Sequence, residues 1–275
     1  MITVDYHTHH NRCGHAQGQI EDYVKMARAR GLTEIGISDH SPLYFLDGND
    51  PQPGLAMAKD ELEGYVDEVL RLKARYAGQI AVRLGLESDY VEDMEAFYAD
   101  VLARYPFDYV IGSVHMALGA NIYDASRWQK TPDPMAVYAE YYRLVQKSAQ
   151  SGLFDILGHT TAVLAYSPRP VPAEIEALQD ETLDVIRQTG VCMEVNTSGY
   201  RKTQADPFPS PRMIARAVEL AIPLTFSSDA HHPNEVAYAR DRIETLFVAK
   251  GLTSLAHFEG RQCTLEPFVV ETTLV

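Results

Sequence analysis

The sequence predicts an α/β protein built on a parallel sheet, and three observations carry that prediction. Short apolar runs alternate with helical patterns almost from end to end, the signature of repeated βα units. Helical stretches stop at Gly31, Gly78, Gly152 and Gly190, each shortly before the next apolar run, as left-handed C-terminal caps do. All but one of the apolar runs end in a side chain that ligates metals. The runs ITVDYHTH, EIGISDH, AVRLGLE, DYVIGSVH, DILGHT, VCMEVN and PLTFSSDAH read as strands in that order, giving about seven βα repeats.

Between them the 3.6-residue periodicity predicts helices in IEDYVKMARARG, KDELEGYVDEVLRLKARYAG, MEAFYADVLARYP, DPMAVYAEYYRLVQKSAQSG, PAEIEALQDETLDVIRQTG and SPRMIARAVELA. Two of these open on Asp133-Pro134 and Ser210-Pro211, where Pro suits the first helical turn. The tyrosines of VYAEYYRLV fall at helical spacing and read as core. No composition break or low-complexity tract divides the 275 residues, so residues 1–275 are read as one domain, a length usual for α/β barrels. Two longer loops, residues 41–56 and 117–133, are candidates for functional segments.

Hydrophobic residues make up 46% and charged residues 23% of the chain, which is ordinary for a soluble globular protein. The formal net charge of −14, with no basic block, argues against nucleic acid and anionic membrane as partners. No signal-type start and no apolar run near ~18 residues occurs, so the expectation is a soluble, cytoplasmic protein. Cys13, Cys192 and Cys263 form no CxxC pair, which argues against a disulfide framework; Cys192 reads as a small buried hydrophobe.

The start of the chain, VDYHTHHNRCGHAQG, holds four of the ten histidines. Residues two apart on an extended chain point the same way, so His7 and His9 can grip one ion. The other strand-like runs end at His40, Glu87, His115, His159, and Asp229 with His231; only the sixth, ending at Asn196, departs. Singly these have dull explanations: Asp39-His40 as a helix cap, Glu87 as a satisfied carboxylate, His159 as a core histidine. Together they converge, because the C-terminal ends of barrel strands share one rim. With His15 from the first loop, seven histidines and two carboxylates exceed the needs of one ion, since a catalytic zinc uses about three protein ligands. Two or three divalent ions are implied, with N/O ligands suited to Zn, Mn or Fe. His10, His232 and His257 are expected behind the ligands or at the surface.

The ordered motifs HTH, SDH, GLE, SVH, GH and SDAH resemble the PHP (polymerase and histidinol phosphatase) superfamily of metal-dependent phosphoesterases and span almost the whole chain. The opening HTHHNRCGHA keeps the spacing HTHxxxCxHG of the stand-alone histidinol-phosphatases at His7, His9, Cys13 and His15, and EVNTSGYRK resembles that subgroup's sixth-strand motif. His10-Asn11-Arg12 replaces the more usual Thr-Pro-Phe, and Ala16 stands where Gly is common. The resemblance implies a distorted (β/α)7 TIM-like barrel and a trinuclear centre. In it His7, His9, Glu87 and Asp229 hold the first ion, Glu87 bridges to a second held by His115 and His159, and His15, His40 and His231 hold the third.

The expected activity is hydrolysis of a small phosphate monoester, L-histidinol phosphate, by attack of a metal-bridging hydroxide, with histidine biosynthesis as its setting. Glu87, Asp229 and His231 form the expected catalytic set, and either Asp229 or a metal-bound water eases loss of the leaving alkoxide. Arg201 and Lys202 are candidate phosphate cations, with Arg12 and then Arg169 weaker ones. The alternative substrate is a nucleotide or another small phosphoester. An amidohydrolase-type C–N hydrolase would call for eight strands and often a lysine at the fourth, which ends here in SVH. A non-catalytic metal module would be expected to lose ligands.

Overall fold

The computed structural model describes residues 1–131, 133–168, 171–203 and 205–269; Arg169 lies outside them. In chain order the elements are β1 (Val4–Asp5), α1 (Ile20–Ala29), β2 (Glu34–Ile37), α2 (Leu62–Arg75), β3 (Ala81–Leu84), β4 (Glu87–Asp89), α3 (Glu95–Leu102) and β5 (Ile111–Ser113). Then come β6 (Met116–Ala117), β7 (Ala120–Asn121), α4 (Arg127–Lys130), α5 (Pro134–Gln150), β8 (Ile156–Leu157), α6 (Glu174–Thr189) and β9 (Cys192–Asn196). The chain closes with α7 (Pro211–Glu219), β10 (Leu224–Ser227), α8 (Arg240–Ala249), β11 (Ser254–Glu259) and β12 (Gln262–Pro267). Each sequence-predicted strand and helix contains an observed one. Asp133 caps α5 by accepting from Met135 N at 2.9 Å, and Ser210 caps α7 through Met213 N at 3.4 Å.

Two all-parallel sheets result, β1-β2-β3 and β10-β9-β8-β5-β4. They meet at two seams. At one, Tyr6 N donates to Phe226 O at 3.3 Å and Thr8 bridges Ala230 in parallel. At the other, His40 bridges Glu87 and Ser41 N donates to Glu87 O at 2.7 Å. Glycine is required beneath the second seam: a Cβ on Gly36 or Gly85 would lie 2.0 or 2.3 Å from the buried Tyr109 ring system. The helices pack on the sheets through the main apolar cluster, which includes Tyr65, Tyr138, Tyr141 and Tyr142, so the tyrosine-rich stretch of α5 is core as its spacing indicates. No described helix is long and apolar enough to cross a membrane.

Three features depart from the sequence expectation. Loop 117–133 is partly ordered by the β6–β7 hairpin and by α4. Helix α8 and the antiparallel β11–β12 hairpin follow the last repeat. The hairpin belongs to a second, strand-derived apolar cluster in which Phe258 and Ala256 meet Val4, Tyr6, Tyr109, Ile111, Ile156 and Cys192. Phe258 N donates to Tyr6 Oη at 3.0 Å and its ring lies 5.4 Å from that of Tyr6. Truncating Phe258 to Ala is therefore expected to cost about 3–5 kcal/mol of unfolding free energy, read from denaturant melts; a loss under about 1 kcal/mol, the range of well-tolerated core swaps, would show that the hairpin is not part of the core.

Candidate metal centre

Eight of the nine sequence-predicted ligand residues stand just beyond the C-terminal ends of parallel strands and His15 comes from the loop after β1, and the structure brings them into one cluster. Glu87 is its hub. Its Oε1 lies 3.0 Å from His159 Nε2 and 3.5 Å from His115 Nε2; its Oε2 lies 2.8 Å from His40 Nδ1, 3.4 Å from His7 Nε2 and 3.6 Å from His9 Nε2. Asp229 Oδ1 is 3.2 Å from His9 Nε2 and 3.8 Å from His7 Nε2. His15 Nε2 lies 3.1 Å from His231 Nε2. Among the described residues four triads have ligand atoms within 4.8 Å of one another: His7, His9 and Asp229; His40, Glu87 and His115; His9, His40 and His231; and, behind these, His9, Cys13 and Asp39.

The backbone aims these groups. His159 and Asp229 have positive φ, 22° and 53°, conformations that persist where surrounding contacts over-determine them. The His15 turn depends on Gly14, whose φ is 82° and whose Cβ would meet Gly54 Cα at 2.6 Å. That close approach places loop 41–56 beside His15, whose Nδ1 is 3.1 Å from Gly54 O.

The electrostatics call for cations. Burial pushes the Glu87 carboxyl up, but the imidazoles of His7, His40 and His115 and the contact from His159 hold it well below the usual carboxylate range. Asp229 behaves alike: burial is outweighed by His7 and by the close approach of His9 and His231. Asp39 and Glu194 are also lowered against burial by neighbouring histidines. Among the rings, burial depresses His40 to about 4 with help from His9, whereas His115 is raised to about 9 because Asp89 and Glu87 outweigh burial. Four buried carboxylates thus stay ionised in one small volume, an arrangement that needs compensating positive charge, from protonated imidazoles such as His7 and His9, both raised by these carboxylates, or from bound cations. Three buried atoms that converge there, His7 Nε2, His9 Nε2 and Glu87 Oε2, make no hydrogen bond. Ionised carboxylates and unpaired imidazole nitrogens converging on one point are a donor set that fits divalent metal ions.

The tautomers follow from acceptors behind the rings. His9 Nδ1 faces Asp39 Oδ1 at 3.2 Å, and His115 Nδ1 faces Asp89 Oδ1 at 2.9 Å. Both rings therefore present Nε2 to the cluster, the usual arrangement behind metal-bound histidine. Asp39, Asp89 and Glu194 escaped the sequence reading as partners of the ligands. Signals existed: Asp39 directly precedes His40, Asp89 lies two residues beyond Glu87 on the same strand face, and Glu194 interrupts an apolar run. His10 is buried with Nδ1 3.2 Å from Asp39 Oδ2, so it stands behind the ligands. His232 caps the turn at Asn234, and His257 sits on β11 near Glu266.

The cluster opens into a cavity of about 680 Å³ whose walls include Arg201, Lys202, Asp89 and Glu235, with Leu43, Phe45, Leu46 and Leu55 from loop 41–56. Arg201 Nη2 donates to Ser228 O and Asp229 O at 3.2 and 3.0 Å, while its buried Nη1 has no partner. Lys202 Nζ stands 5.2 Å from the Tyr123 ring centre. Arg12 corrects the sequence expectation. It does not line the cavity, because the 3-10 turn Asn11–Cys13 directs it to α2, where Nη2 donates to Glu68 Oε2 at 2.6 Å. Cys13 is buried, its Sγ 3.1 Å from His10 O.

Comparison with known proteins gives the family. The PHP domain family profile matches residues 5–198. The chain belongs to the PHP family. It is similar to the probable histidinol-phosphatase of Deinococcus radiodurans, with 36% identity over 238 residues covering 85% of this chain and 88% of that protein. The histidinol-phosphatase of Bacillus subtilis is 32% identical over 258 residues, covering 86% of this chain and 96% of that protein. Among solved structures, the histidinol phosphate phosphatase of Lactococcus lactis, complexed with zinc, L-histidinol and phosphate, superposes with a TM-score of 0.82. It covers 95% of this chain and 98% of that chain at 22% identity. The fold shared with that structure therefore extends beyond the residues the profile matches.

Proposed function

We propose that this PHP protein is a metal-dependent phosphomonoesterase that hydrolyses L-histidinol phosphate to L-histidinol and phosphate, a step of histidine biosynthesis. The observation that carries the reading is the nine-residue cluster at the floor of a cavity whose wall includes Arg201 and Lys202. The names of the two relatives above 30% identity select the substrate. The two joined sheets support a distorted (β/α)7 barrel, and residues 1–275 are read as its single domain.

In this reading His7, His9, Glu87 and Asp229 hold one ion, Glu87, His115 and His159 a second, and His15, His40 and His231 a third. When bound, divalent ions supply Lewis acidity that neutralises phosphate charge and acidifies water. Arg201, which lines the cavity with its guanidinium fixed by two backbone carbonyls, supplies positive charge to the non-bridging phosphate oxygens. Lys202, held near Tyr123, adds a second cation. Asp229 is held ionised, which suits it to ligation rather than to supplying the leaving group's proton. Asp89 and Glu235 place carboxylates on the cavity wall, the charge that a substrate amine calls for, and Phe45 with its leucine neighbours offers an apolar surface to a ring.

Replacing Arg201 by Ala should lower kcat/KM about 10- to 100-fold, the ~1.5–3 kcal/mol of hydrogen bonds to a charged group, mostly through KM and with metal content unchanged. Lys at 201 should restore only part, because it lacks the planar fork. Steady-state phosphate release and metal analysis check both. The substrate assignment is tested by comparing L-histidinol phosphate with a nucleoside monophosphate and an aryl phosphate. Preference for the first supports it, and turnover of the others alone would move the protein to another phosphoesterase role.

A further inference from the structure

Strand β9 lies between β8 and β10 and carries none of the nine clustered residues. Its side chains nevertheless reach the cluster, because both Glu194 and Asn196 are wholly buried. Glu194 Oε2 accepts from His7 Nδ1 at 2.9 Å, and its Oε1 accepts from His159 N at 2.7 Å and Asn196 Nδ2 at 2.8 Å. Asn196 Nδ2 also lies 3.3 Å from Asp229 Oδ2. One carboxylate thus engages His7 directly, His159 through its backbone, and Asp229 through Asn196. Two of these three, His159 and Asp229, have the positive φ values noted above.

We propose that Glu194 is a positioning residue of the metal centre, setting the tautomer of His7 and the backbone of His159 so that ligands from three strands face one point. The proposal rests on the reading that the cluster binds metal. A neutral imidazole has one N–H. With that proton on Nδ1, donated to Glu194, the lone pair is on Nε2, the buried atom 3.4 Å from Glu87 Oε2 that makes no hydrogen bond. An amide cannot reproduce this. His159 N–H donates to Oε1 at 2.7 Å, whereas His7 Nδ1 lies 2.9 Å from Oε2 and 3.2 Å from Oε1, so a Gln whose oxygen serves His159 sets its NH₂ against the Nδ1–H of His7. If the amide nitrogen faces His7, the ring must accept at Nδ1, its proton moves to Nε2, and the ligating lone pair is lost.

The test uses the full chain stripped with a chelator and titrated with zinc, with affinity read by competition, bound metal by elemental analysis and folding by circular dichroism. Glu194→Gln should bind zinc about 10- to 100-fold more weakly than wild type. Its kcat should fall while KM stays within about twofold, as expected when substrate binding is untouched, and Glu194→Asp should recover part of the zinc affinity. A folded Glu194→Gln with unchanged zinc affinity and unchanged kcat overturns the proposal. A wild type that takes up no zinc overturns the metal reading itself, and with it this proposal. Should Glu194→Gln not fold, nitrogen NMR of the zinc-loaded wild type decides: the His7 proton on Nδ1 supports the proposal, and on Nε2 overturns it.

Discussion

A Glu87→Gln variant will lose on the order of 10³-fold or more in phosphate release, the several kcal/mol that metal ions supply to a charged transition state. The substitution preserves size and removes charge, so it isolates the role of the carboxylate. Glu87 touches more of the cluster than any other clustered residue: His40 at 2.8 Å, His159 at 3.0 Å, and His7, His115 and His9 at 3.4 to 3.6 Å. An amide nitrogen at either position points a donor at imidazole nitrogens whose lone pairs the metal requires. Ser113 Oγ, which donates to Oε1 at 2.6 Å, would favour the amide oxygen there and turn the NH₂ towards His40, His7 and His9. Bound metal should fall with activity, measured on the same sample, while circular dichroism stays that of wild type. A Glu87→Gln protein with full metal and near wild-type turnover would remove Glu87 from the centre of the account.

Chelation is the second large effect. Four carboxylates buried together, Glu87, Asp229, Asp39 and Glu194, are balanced in the stripped protein only by whatever protons the histidines hold. Adding metal should therefore raise the thermal midpoint as well as restore turnover. One ion at 100 times its dissociation constant stabilises by about 2.7 kcal/mol, roughly 5 °C for a chain somewhat above 250 residues. The gain should vanish as pH falls, because ligation needs neutral imidazole and protonation competes with it. Calorimetry of stripped and reloaded protein at two pH values reads this directly, and a midpoint indifferent to metal would count against a buried metal cluster.

How much of this was legible in the sequence depends on which physical rule governed each residue. The ligands were legible because parallel strands deliver their C-terminal residues to one rim, so His40, Glu87, His115 and His159 could be placed together from their positions in the repeats alone. The groups behind them were not. Glu194 sits within CMEVN, where a single carboxylate among apolar residues looks like a tolerated exception until the fold shows what it faces. Arg12 failed for the opposite reason. Its nearness to His9 in sequence suggested nearness to the site, but the 3-10 turn at Asn11–Cys13 sends its side chain to Glu68 on α2. The β11–β12 hairpin carried a local signal, alternating residues flanking Gly260-Arg261, both with positive φ. It lay outside the βα repeat, and its role as an apolar partner of Tyr6 and Tyr109 comes from contacts across the whole chain.

The measurement that tests the account most directly is phosphate release from L-histidinol phosphate by chelator-stripped protein as Zn or Mn is added back, with bound metal counted at each step. The account predicts no release before metal is added and a rate that climbs with the ions bound, reaching its plateau when the cluster is filled. Release that is already complete in the metal-free protein, or none from the fully loaded one, would contradict it.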